Sequence, residues 1–165
     1  MEELRRLAEL AMQEDSAMRE RLEVLSMVLD LAPIPMWIKR MEGTTTRMLR
    51  INLAYERRWG ITREQCEGRT DEEVWGPEVA AQFLANDLEA IARAPLPVFA
   101  TERVPDLLDP EQAEEEIPVW LVAKRAGESK GLTYIAGIAY REDETLRTMQ
   151  ALRDEAESEG RGPNG

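Results

Sequence analysis

The chain has 165 residues, 43% of them hydrophobic, which is enough for one packed domain with some chain to spare. Its 21 Lys and Arg against 33 Asp and Glu leave a net charge of −12, a balance repelled by nucleic-acid phosphates and anionic membranes. With no histidine and 1 cysteine, a Ser-His-Asp triad, a Cys-His pair, an internal disulfide and a cysteine-rich zinc site are excluded.

Residues 2–31 contain neither Gly nor Pro, and Leu4, Leu7, Ala11, Met18, Leu22, Leu25 and Leu29 recur at helical spacing. The pattern predicts an N-terminal amphipathic helix over 1–31, ended by Pro33 and Pro35. Its apolar seam must be buried, either on the core or against a second copy of the chain, and the homodimer is the expected arrangement. The first residues are too acidic for a signal peptide, and no apolar run reaches the ~18 residues of a membrane span. A cytoplasmic protein is expected, with no membrane and no nucleic-acid partner.

From Pro35 the pattern changes to strands. Pro35 to Met41 and Arg47 to Asn52 are strand candidates, with EGTTT read as the turn between them. Asn52 to Trp59 reads as a short helix stopped by Gly60. Thr62 caps a second, stopped by Gly68, and Asp71 is read as the cap of a third. Pro77 suits the first position of a longer helix, Pro77 to Arg93, with Val79, Ala80, Phe83, Leu84, Leu88 and Ile91 along one face. Three strands follow: Pro97 to Val104, Ile117 to Arg125 and Leu132 to Tyr140. In the second, Trp120 and Val122 lie on the opposite face from Val119, Leu121 and Ala123. AGESKG is read as the polar connection of the last hairpin. Glu142 to Glu159 returns to helical spacing with Leu146, Met149, Leu152 and Ala156, and 160–165 is read as a disordered tail.

Two strands, several helices and three more strands make an α+β domain, an antiparallel sheet covered on one face. Four stretches carry a family likeness: LDLAPIPMWIKR, RINLAYERRWGITREQCEGRT, DEEVWGPEVAAQFLANDLEAIARAPLPV and VWLVAKRAGESKGLTYIAGIAYRED. In this order they resemble a PAS domain over roughly residues 26–141. Asn52, Gly60, Gly68, Trp120, Lys124, Gly131 and Gly137 fall on its characteristic positions. The departures are the loop MEGTTTR, the acidic insertion 105–116, and GIAYRED where a PAS core often ends in Asp-Ile-Thr. The resemblance implies a five-stranded antiparallel sheet with helices on one face, and a core spanning 32–141 between helical extensions at 1–31 and 142–159. It also implies a sensory or signalling module acting on a separate protein partner, or a ligand-free dimerisation domain.

The chemistry follows from what the residues allow. Cys66 precedes Gly68, away from the position of the flavin-adduct cysteine in light-sensing relatives, and reads as a small buried hydrophobe. Haem is not expected without histidine. Asp106, Asp109, Glu111, Glu114, Glu115 and Glu116 lack the spacing of a calcium loop, so no metal is expected and the segment reads as a solvated loop. No catalytic motif is present and no enzyme is expected, a small enzyme on an α+β scaffold standing as the third reading. In the PAS layout Trp37, Phe83, Leu84, Leu88, Phe99, Val122 and Ile135 would line the pocket between sheet and helices, as plain core or around a small apolar or aromatic ligand.

Overall fold

The computed structural model describes residues 23–109 and 111–141 continuously, together with Arg6, Ser16, Glu20, Arg21, Asp143, Arg147, Gln150, Ala151 and Asp154. It divides into two units, residues 1–31 and 32–165. In the first, residues 23–31 are helical (α1), with Leu25 exposed and Leu29 half-buried. Leu4, Leu7, Ala11, Met18 and Leu22 lie outside the described residues, as do Leu146, Met149, Leu152, Ala156 and the tail 160–165. Asp143, Arg147, Gln150, Ala151 and Asp154 are helical.

The second unit runs β1 (Met36–Glu42), β2 (Thr45–Ile51), α2 (Leu53–Trp59), α3 (Arg63–Cys66), α4 (Asp71–Trp75), α5 (Pro77–Arg93), β3 (Val98–Arg103), β4 (Val119–Ser129) and β5 (Leu132–Tyr140). The five strands form one antiparallel sheet in the order β2-β1-β5-β4-β3, so the first and last strands of the chain order meet in the middle. The expected α+β class and the five-stranded sheet are both present.

Local sequence explains the turns and caps. Asn52 is fully buried. Its Oδ1 accepts from the backbone N–H of Tyr55 (3.0 Å) and of Met36 (2.9 Å), and its Nδ2 donates to the Ile34 carbonyl (2.9 Å). One side chain thus starts α2 and fastens the beginning of β1. Thr62 and Gln65 form a capping box on α3. The cap of α4 is Thr70, in a second capping box with Glu73, and not Asp71. Asp71 is the first helical residue, which frees its carboxylate for the interior.

Both hairpins are tighter than expected. Thr45 and Thr46 join β2, leaving Gly43 and Thr44 as the turn. Ala126 to Ser129 extend β4, leaving Lys130 and Gly131, both at positive φ (52° and 74°), the pair of conformations that a two-residue turn between right-twisting strands requires. A bulge sets Leu49 out of register with β1, so that Met48 and Ile51, three apart, both point inward.

On β4 the alternation holds as expected: Trp120, Val122 and Lys124 are buried, while Val119 and Leu121 face out. The inner face and the helices enclose Trp37, Met48, Ile51, Tyr55, Trp59, Cys66, Trp75, Phe83, Trp120 and Val122. A smaller cluster holds Ala90, Val98, Ala126 and Ile135. The sheet's two outer edges are treated differently. Along β2, Met48 donates to the Arg69 carbonyl (2.9 Å) and accepts from the Gly68 N–H (2.8 Å). At the end of β3, the Gln82 amide accepts from the Arg103 N–H (2.9 Å) and donates to its carbonyl (3.1 Å).

Gly137 lies directly across from Trp37, and a Cβ there would come within 2.3 Å of the indole ring. Gly137→Ala is therefore expected to lower stability by about 1–3 kcal/mol through overpacking. Gly127→Ala, on the adjacent strand with nothing within 4 Å, is expected to stay within about 0.5 kcal/mol. Urea denaturation of the two variants checks the pair.

Candidate functional site

The space between sheet and helices is charged. Lys39 on β1, Lys124 on β4, Glu102 on β3, Asp71 at the start of α4 and Asp87 on α5 are each at most 7% exposed. Asp87 stands at the centre. Its Oδ2 accepts from Lys39 Nζ (3.0 Å) and its Oδ1 from Lys124 Nζ (2.8 Å). Lys39 also reaches Asp71 Oδ2 (2.5 Å), and Lys124 reaches Glu102 Oε1 (2.6 Å) and the Phe83 carbonyl (3.2 Å). Thr46 and Asn86 complete the set, Asn86 donating to Glu102 Oε1 at 2.9 Å.

Each member arrives by ordinary periodicity. Lys39 lies two residues after Trp37 on β1, Lys124 two after Val122 on β4, and Asp87 one helical turn after Phe83 on α5. Burial disfavours the charged form of Lys39, but Asp87 and Asp71 outweigh it and hold its pKa above the usual lysine value. Burial likewise pushes the Asp87 carboxyl up, and Lys39 and Lys124 together bring it below the usual carboxylate range.

An aromatic chain fills the remainder. Trp37 meets Tyr55 edge-on (6.1 Å between ring centres), Tyr55 meets Trp59 (4.5 Å), and Trp59 meets both Trp75 (5.8 Å) and Trp120 (5.3 Å). Trp75 meets Phe83 (6.0 Å). Arg58 and Arg141 both approach the Trp120 ring, at 5.3 and 5.6 Å, and Arg58 also holds Asp106 of the acidic insertion (3.1 Å). Burial drives the Tyr55 hydroxyl pKa well up, and pushes the Cys66 thiol up to about 12, so this thiol is no nucleophile. Among the described residues no group of three or more acids could hold a metal, the 105–116 insertion included.

Between these walls remains a cavity of about 20 Å³, lined by Trp37, Lys39, Tyr55, Trp59, Asp71, Trp75, Phe83, Glu102, Val122 and Lys124 among others. Of the seven expected pocket residues, Trp37, Phe83 and Val122 line it. Ile135 is buried elsewhere, in the cluster with Ala90 and Val98. Leu84 is half-buried on a surface cleft beside Thr45 and Pro77. Leu88 and Phe99 are corrections: they are 46% and 69% exposed. The inward stripe of α5 runs Phe83, Asp87, Ala90, which turns Leu88 aside, and β3 points Val98, Ala100 and Glu102 inward, which turns Phe99 out. Sequence reasoning missed Lys39, Asp71, Asp87 and Glu102. The available signal was a charged residue in phase with buried apolar ones, Asp87 between Phe83 and Ala90 above all.

Two outcomes follow. Asp87→Asn removes the charge that two buried lysines share, and is expected to lower stability by about 3–5 kcal/mol. The second concerns acid. A carboxyl held low in the folded state contributes stability that is complete above its unfolded value, near pH ~4, and lost as pH falls through the folded value. Urea midpoints measured from pH 6 down to 2 should therefore fall more steeply for the natural chain than for Asp87→Asn. The Lys39 contribution has the opposite sense, complete below about pH 10 and lost only as pH rises through its raised value.

No protein-family model matches the chain, and no curated protein matches it. Solved structures do. The PAS domain of BvgS from Bordetella pertussis is 24% identical and superposes with a TM-score of 0.55 over 82% of this chain and 98% of that one. The LOV protein of Rhodobacter sphaeroides is 15% identical with a TM-score of 0.53, over 74% of this chain and 66% of that one. Sheet order, helix placement and these superpositions agree: this chain has the PAS fold.

Proposed function

We propose that the chain is a PAS-type signalling module whose interior is filled by its own side chains, and which works as a homodimer on a separate protein partner. The observation that carries this reading is the filled core. A ligand site of ordinary size offers about 300–1,000 Å³, whereas the space between sheet and helices here amounts to about 20 Å³. An aromatic ligand would have to displace tryptophans or separate buried ion pairs. The reading departs from the expected apolar pocket because the inward positions of β1, β3, β4 and α5 carry charge.

The dimer rests on residues 1–31. Val24, Leu25, Met27, Val28 and Leu31 are exposed on α1, and leaving large apolar side chains in water forgoes about 1.5–3 kcal/mol each. A helix of this length is marginal in water without packing. The outer face of the sheet offers a second apolar surface in Phe99, Val119, Leu121 and Tyr140. No catalytic role is assigned to any side chain. No helix among the described residues is long and apolar enough to cross a membrane.

Native mass spectrometry and sedimentation equilibrium test both halves of the reading. The intact chain is expected at twice the monomer mass with no retained small molecule, and its absorbance is expected to show the aromatic ultraviolet band alone. A retained organic mass, or a visible haem or flavin band, overturns the filled-core reading. Deleting residues 1–24 is expected to give a folded monomer. An unchanged dimer mass after that deletion moves the interface elsewhere, and a monomeric full-length chain removes the dimer.

A further inference from the structure

The hydrogen bonding around the cavity does not balance within the protein. Trp37 and Trp59 are 7% and 2% exposed, both line the cavity, and neither indole N–H has a protein acceptor. Lys39 carries three ammonium protons and directs hydrogen bonds to two oxygens, Asp71 Oδ2 and Asp87 Oδ2. Lys124 is different, with Phe83, Asp87 and Glu102 for its three. On the acceptor side, Asp71 and Glu102 take the bonds described above through one carboxylate oxygen each, Oδ2 and Oε1. The same wall thus holds unpaired indole donors beside charged carboxylates. Each buried polar group left unpaired would be worth about 1–3 kcal/mol of lost stability.

We propose that this cavity binds one neutral molecule of the size of water, bonded to the indole N–H groups and to the Lys39–Asp71 side of the network, and that its occupant is water. Volume sets the size, since about 20 Å³ suits a single water and a site needs at least about 10–15 Å³ to take one. Charge sets neutrality. Three carboxylates against two ammonium groups disfavour an anion, while the ammonium and indole protons face a cation with their positive ends. A species with both lone pairs and protons accepts from the Trp37 and Trp59 indoles with its two lone pairs and donates toward the Asp71 side of the network with its protons. The occupant thereby extends the ionic network across the cavity to the aromatic chain, at Trp59, which touches Tyr55, Trp75 and Trp120.

Two measurements on the full chain decide it. In the ¹⁵N-labelled protein, the indole protons of Trp37 and Trp59, assigned with Trp37→Phe and Trp59→Phe, are expected to show cross-relaxation with water of the sign of a long-lived bound molecule. Absence of that signal at both indoles overturns the proposal. Separately, β-(3-benzothienyl)alanine, which keeps the shape of tryptophan and lacks the N–H, is placed at position 37 or 59. Loss of a made hydrogen bond is expected to lower the thermal midpoint by roughly 2–4 °C. A raised midpoint means that an unpaired donor has been removed from a dry cavity, and overturns the proposal. The inference rests on the filled core, and the failures are distinguishable: a retained organic mass in the native spectrum overturns both, whereas a bare mass without the water signal overturns this site alone.

Discussion

Asp87 has two carboxylate oxygens and gives one to each of two buried lysines from strands β1 and β4. The arrangement of sheet and helix depends on that division. A helix packed on a sheet by apolar contacts alone can slide or rotate by small amounts at little loss, because dispersion and area burial have no direction. A carboxylate held at 3.0 and 2.8 Å by two ammonium groups cannot. It fixes the rotation of α5 about its axis, and thereby which residues of the helix are core and which are surface. Taking five ionisable groups out of water carries a desolvation penalty that good geometry only roughly offsets. The network therefore supplies position more than net stability.

The same network accounts for the small interior. A lysine needs its full length to bring Nζ to the middle of the domain, so Lys39 and Lys124 occupy with their stems the volume that short apolar residues would leave open. Opposite them, six aromatic rings from Trp37 to Phe83 meet edge to face, apart from the tilted Trp59–Trp120 pair, an arrangement worth about 0.5–1.5 kcal/mol per pair beyond burial. Gly137 leaves β5 thin enough for the Trp37 indole to lie against it.

Much of this architecture was legible in the sequence because it is written in local signals. Pro77 at the first position of α5, the Thr62 box, Asn52 before α2 and the alternation of β4 each state their element within a few residues, and the five-stranded antiparallel sheet followed from the PAS resemblance. The site was legible only in part. Trp37, Phe83 and Val122 were found because large apolar residues are presumed to point inward. By the same presumption Leu88 and Phe99 were misplaced. Which face of α5 turns inward is decided by Asp87, and the pairing of Asp87 with lysines 48 residues before it and 37 after it is a fact of three dimensions. Periodicity ranks faces by hydrophobicity, and here the buried face of α5 carries a charge at its centre, Asp87. The Thr70 cap was missed for a related reason: Thr and Asp are adjacent and both cap well, so only the role of Asp71 inside the core separates them.

The unequal treatment of the two sheet edges bears on how far such a molecule can polymerise. Strand addition needs a row of unpaired N–H and C=O groups. Along β2, Gly68 and Arg69 take up both backbone groups of Met48 at the middle of the strand, which interrupts the row a foreign strand would need. Along β3, among the described residues, the Gln82 amide covers only the last residue, Arg103, and the stretch from Phe99 to Thr101 stays open. A sheet with one open edge can be extended once. If two copies joined through β3 about a two-fold axis, both outward edges of the product would be β2 edges, already interrupted, and growth would end at two. Fibre formation from the folded state would first require residues 67–70 to peel away from β2, which makes that short segment, rather than the exposed apolar face, the guard against runaway assembly.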